Sequence, residues 1–164
     1  MISLAHVHLL FNHLPVILTP VGLLLLAVAA RRHDDSLARV ALAVLVAAAL
    51  ATAPTYFTGE DAQHAIKGMP GVTLDRIHEH EDMGLYSAIV VGALGLFALW
   101  ALWRHRPPVA LPSWAVKSAL ALSLAGSLLM GYTSLLGGEV RHTEIRPGYV
   151  ADPNARWEKS PGER

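Results

Sequence analysis

The chain has 164 residues, 53% of them hydrophobic, no cysteine, and a formal net charge of +0 from 13 basic and 13 acidic side chains. The absence of thiols excludes disulfides, iron–sulfur clusters, thiolate metal sites and covalent c-type haem attachment. Balanced charge with no basic stripe gives nucleic-acid binding no support.

Four apolar stretches follow one another, roughly Leu9–Ala30, Val40–Thr58, Met83–Trp103 and Trp114–Leu136. Each is about 17–25 residues, the length an α-helix needs to cross a hydrocarbon core ~30 Å thick. None carries Asp, Glu or Arg in its middle, whereas a soluble helix would show a polar face. The expected fold is all-α, an integral membrane four-helix up-down bundle over residues 1–142. Its helices are expected at about 6–30, 38–58, 80–104 and 112–137, with an external extended tail over 143–164.

No basic residue precedes the first stretch, so it reads as a retained signal-anchor rather than a cleaved signal peptide. Within it, Pro15 is expected to free the carbonyl near Phe11. Arg31, Arg32 and Arg39 join the first two stretches, and Arg104 and Arg106 join the last two, with Lys117 just inside. Their density in short loops points to the cytoplasm. Both termini and the 59–82 loop then lie outside, in a multi-pass protein of the bacterial inner membrane. Ala88 with Gly92, and Ser127 with Gly131, are small pairs at the spacing that lets membrane helices approach closely. Pro147, Pro153 and Pro161 favour extended structure in the tail.

Seven of the nine histidines gather at the outer end of this arrangement: His6, His8, His13, His64, His78, His80 and His142. Imidazoles near a bilayer are costly without a partner, so this cluster points to a bound haem or metal. His33 and His105, beside the loop arginines, read as surface residues. His13 lies deepest in the first stretch, and His80 lies nearer the membrane than His78. The first and third helices run in the same direction and face each other across a bundle axis, which would oppose His13 to His80. Two such imidazoles suit the axial positions of b-type haem, with His8 and His78 as alternates. Tyr56, Phe57, Tyr86 and Tyr132 lie near the same rim as interfacial anchors or pocket lining.

A second donor set is His6, Glu60, His64, Glu139 and His142. Glu139-x-x-His142 has the spacing of a carboxylate–imidazole pair, and such groups would hold non-haem iron, copper or zinc. The halves also look alike: His6-x-His8 matches His78-x-His80, and Gly59-Glu60 matches Gly138-Glu139. That pattern suggests two helical hairpins related by an axis along the membrane normal.

His8-Leu-Leu-Phe-Asn-His13-Leu-Pro15 resembles the opening of an uncharacterised bacterial family of four-helix membrane proteins, similar to His-Pro-x-x-x-His-Phe-Pro. Gly137-Gly138-Glu139-x-x-His142 resembles that family's closing motif, and the likeness covers roughly residues 6–142. Leu9 and Leu14 depart from the family's Pro and Phe, while both imidazoles are kept. The family often accompanies c-type cytochromes, which implies redox work. The leading expectation is a membrane redox subunit that binds haem b near the external face and passes electrons between quinol and a partner cytochrome. The rivals are a non-haem metal-binding membrane protein and a non-catalytic accessory subunit of a respiratory or photosynthetic complex. In each case membrane lipid is a partner.

Overall fold

The computed structural model describes residues 3–151. Among these residues every regular element is helical. The first apolar segment makes two helices, α1 (Leu4–Phe11) and α2 (His13–Arg32). Pro15 has no N–H to give the Phe11 carbonyl, and the chain breaks at Asn12. Pro15 falls in the first turn of α2, where a missing donor does no harm.

His33 and Asp34 alone connect α2 to α3 (Asp35–Phe57). His33 closes α2 in the left-handed conformation at φ 53°, and Asp34 opens α3 by accepting the Leu37 N–H at 3.0 Å. The 59–82 segment, expected as a loop, contains α4 (Gly59–Ile66) and the start of α5 (Leu74–Arg104). α6 (Ser113–Arg141) follows, and a 3-10 turn at Thr143–Ile145 leads into the tail. The remainder of the expected extended tail, 152–164, lies outside the described residues.

Around the bundle, α2 packs on α3, α3 on α5, α5 on α6, and α6 back on α2. That is the up-down arrangement, with successive helices antiparallel neighbours. α1 leaves this ring and packs across α3 and α4. All four spans are long and apolar enough to cross a membrane: Leu4–Arg32, Asp35–Phe57, Leu74–Arg104 and Ser113–Arg141. Their outer faces are apolar as well. Leu24 is 66% exposed, Leu50 70%, Leu96 72% and Leu128 68%, one on each span. A water-facing bundle would not carry such a continuous apolar surface, so lipid is its solvent.

The core is built mainly from small side chains. Ala29, Ala38, Ala41, Ala98, Ala101 and Ala119 surround Leu26, Leu42, Leu45 and Leu94. Helices that gain nothing by leaving lipid associate through close contact, and alanine permits it. The closest approach is at Gly95, where an added methyl would overlap the Ala49 Cβ. Gly92 and Gly131 do not serve this purpose. A Cβ at either would meet nothing within 4 Å, so close packing is carried by Gly95 against Ala49 and by Gly22 against Leu45 instead. The expected pairs failed because spacing alone does not say which face of a helix turns inward.

At the arginine end, Asp35 joins both connections. It accepts the Arg39 Nε at 2.7 Å and the Leu111 N–H at 2.8 Å, while Arg39 Nη2 donates to the Val109 carbonyl at 2.7 Å. Gly95→Val should therefore lower the unfolding temperature in detergent, with a loss of about 1–3 kcal/mol from overpacking. Gly92→Ala should leave it unchanged, and the two variants are compared by the same thermal melt.

Candidate functional site

The break at Asn12 tilts α1 over the end of α3, and this puts His8 against a carbonyl. His8 Nδ1 lies 2.9 Å from the Thr55 oxygen. Thr55 is in the last turn of α3, where carbonyls lack an intrahelical partner. On the other half of the bundle, His80 of α5 repeats the arrangement. Its Nδ1 lies 3.0 Å from the Thr133 oxygen of α6. A carbonyl oxygen only accepts, so each Nδ1 carries the proton and donates it. The neutral ring then keeps its lone pair at Nε2, the nitrogen left to bind a guest.

Glycine seats the His80 ring. A Cβ at Gly137 would meet His80 Cε1 at 2.8 Å, whereas one at Gly59 would reach His8 Cε1 only at the ordinary contact distance of 3.9 Å. Thr55 precedes Gly59 by the same four residues as Thr133 precedes Gly137. The Thr133 hydroxyl adds a second tie between α5 and α6, donating to the Met83 carbonyl at 3.1 Å beside Ser87 Oγ at 2.8 Å. Thr55 spends its hydroxyl within its own helix, on the Ala51 carbonyl. Four residues beyond His8, Asn12 Oδ1 is buried without a partner.

His13 does not oppose His80. It is exposed, because the break rotates α2 relative to α1 and turns His13 outward, while His8 is half-buried against the end of α3. His78 is also exposed, as a residue two places from the inward-facing His80 must be. Tyr56, Phe57, Tyr86 and Tyr132 are all exposed.

The second donor set is dispersed. His6 binds Ser3 Oγ through Nδ1 at 2.6 Å, and Glu60 and His64 are exposed on α4. Glu139 is buried, with Arg76 Nη1 2.8 Å from its Oε2 and the N–H poorly aligned to that oxygen. Arg76 also donates to Glu79 at 3.0 Å. His142 turns away to Glu144, Nδ1 to Oε1 2.8 Å. Among the described residues no three His, Asp or Glu side chains gather as a metal site. The Glu139-x-x-His142 spacing is present, but a cation takes the Glu and the end of α6 redirects the His. His33 is exposed as expected, whereas His105 is half-buried with its ring edge-on to Trp100 at 6.0 Å.

Arg146 fastens this end. Nε donates to the Glu139 carbonyl at 2.8 Å, and Nη2 to the carbonyls of Gly71 at 2.7 Å and Val140 at 3.2 Å. It thereby caps α6 and holds the α4–α5 connection. Arg76, Arg146 and the two carbonyl ties are not among the site residues expected from the sequence. The repeated Thr-x-x-x-Gly was the available signal for the ties.

Residues 5–144 match a protein-family model described as a predicted membrane protein (DUF2231). The chain belongs to this family. No curated protein and no solved structure matches it. The family match covers all four spans and both imidazole ties, and it ends where the tail begins.

Arg76→Ala should leave the Glu139 carboxylate buried without a cation and lower stability by about 1–3 kcal/mol. Adding Glu139→Gln should recover most of that loss, read by thermal unfolding in detergent. Glu144 is held below the usual carboxylate range by its own backbone N–H and then by His142. Its contribution is present above the ordinary value and fades as pH falls through the depressed one. An NMR titration should show the low midpoint, and His142→Ala should raise it.

Proposed function

We propose that this protein is a membrane redox subunit that binds b-type haem near its external face through His8 and His80, and carries electrons between quinol and a partner cytochrome. One observation carries the reading: two imidazoles from opposite spans, each tied at Nδ1 to the carbonyl of the next span, keep Nε2 for a ligand. The donor chemistry fits the group. There is no thiol, the neutral tautomer is fixed, and the orphaned Asn12 Oδ1 leaves an acceptor at the same end.

When bound, iron porphyrin supplies one-electron chemistry. The chain's own work is positional. The Thr55 and Thr133 carbonyls stop each ring from rotating and make its free nitrogen a stronger donor. Gly137 lets the His80 ring lie close to α6. The surrounding rim is acidic: Glu60, Asp61, Asp75, Glu79, Glu81 and Asp82 are all exposed on α4 and the start of α5. Such a rim suits a partner with a basic face and raises its rate of encounter. We place this rim on the external side, because Arg31, Arg32, Arg104 and Arg106 occupy the short connections at the other end.

The test is the visible spectrum of the purified chain, oxidised and then reduced, as isolated and after incubation with hemin. A Soret band with reduced α and β bands is expected. His8→Ala or His80→Ala should abolish it, and His13→Ala should leave it intact. Absence of haem after incubation, or bands that survive both of the first two variants, would overturn the assignment.

A further inference from the structure

At the opposite end of the bundle, Trp103, Arg104, Arg106, Pro107, Pro108 and Val109 line a cleft of about 370 Å³. The half-buried His105 packs on Trp100, and the arginines on either side of it remain exposed. Neither arginine has a carboxylate within ion-pair distance among the described residues. The two acids at this end are already engaged. Asp34 caps α3, and Asp35 holds Arg39 and Leu111. Arg31 and Arg32 close the neighbouring connection and are exposed, so positive charge is in excess at this end.

An apolar track leads to the cleft along α5. Leu96, Leu99, Trp100 and Trp103 recur at helical spacing, and their exposures are 72%, 53%, 41% and 66%. Its last member, Trp103, also forms a wall of the cleft. A ligand that fits both parts has a long apolar chain and an anionic head. Two guanidinium groups in one cleft match the oxygens of a phosphodiester.

We propose that this cleft binds the phosphodiester headgroup of an anionic phospholipid, with an acyl chain along Leu96, Leu99 and Trp103. Basic pockets beside membrane helices recognise such headgroups through charge that zwitterionic lipids cancel with their own ammonium. The site is separate from the imidazole pair and does not depend on any guest there.

The experiment titrates the purified full chain in detergent with brominated phosphatidylglycerol or brominated phosphatidylcholine and follows tryptophan fluorescence. Phosphatidylglycerol should quench at lower concentration. The double variant R104Q/R106Q should lose that preference by roughly thirtyfold, at about 1 kcal/mol for each of the two basic residues. R104K/R106K, which keeps the charge, should retain part of it and guards against simple misfolding. R31Q/R32Q should retain nearly all of it. Equal loss in R31Q/R32Q would mean diffuse surface charge and overturn the site. Relief of quenching by millimolar inorganic phosphate would identify a soluble-anion site and overturn the lipid assignment, as would an unchanged preference in R104Q/R106Q.

Discussion

A polar group inside a bilayer has no water to turn to, and this governs the hydrogen bonds made within the apolar parts of the spans. The hydroxyls answer it locally. Thr19, Thr52 and Ser127 each donate to the carbonyl four residues back in their own helix, at 2.7, 2.8 and 2.7 Å. These residues stay inside a membrane helix because they bring their partner with them. Imidazoles are too large for that solution. His8 and His80 reach to a neighbouring span, and both find a backbone carbonyl there. The same pressure that satisfies the rings therefore fixes their tautomer and orientation.

Reaching across requires the chain to bend. A straight first helix would continue the line of α2, but the break at Asn12 lets α1 lean onto α3 and α4. Proline creates the break by withholding one donor, and the last turn of α3 supplies a carbonyl shared only weakly with the capping Thr58 hydroxyl, 3.5 Å away. On the other half, α5 runs unbroken from Leu74 to Arg104, and His80 is brought to its acceptor by contact with α6. Similar ties are thus reached by different backbone routes. The likeness of the two halves is confined to His, Thr and Gly positions rather than extending through the helices.

The two ends of the bundle divide the chemistry by charge. Carboxylates collect around the imidazoles, and most stay exposed. Glu139 is the exception, buried beside Arg76 and anchored through its own carbonyl by Arg146. Unpaired arginines collect at the other end, framed by Trp100, Trp103 and Trp114. Aromatic rings with one wet edge settle at such interfaces, and they mark where the hydrocarbon stops.

The number of spans, their up-down order and the gathering of histidines at one end were legible in the sequence, because apolar length and loop charge are one-dimensional quantities. The inward-facing role of His80 was legible too, from its place beside the membrane. The inward turn of His8 was not, since a single proline rotates one helix against the next and reverses which of His8 and His13 is buried. Nor was the fate of Glu139. Its neighbour His142 is close in sequence, but Arg76 is close in space, and an ion pair forms with whatever charge packing delivers. Composition by itself settled that the chain lives in lipid. Only the tertiary structure decided which polar groups meet, because that depends on helix rotation and crossing, and residue order records neither.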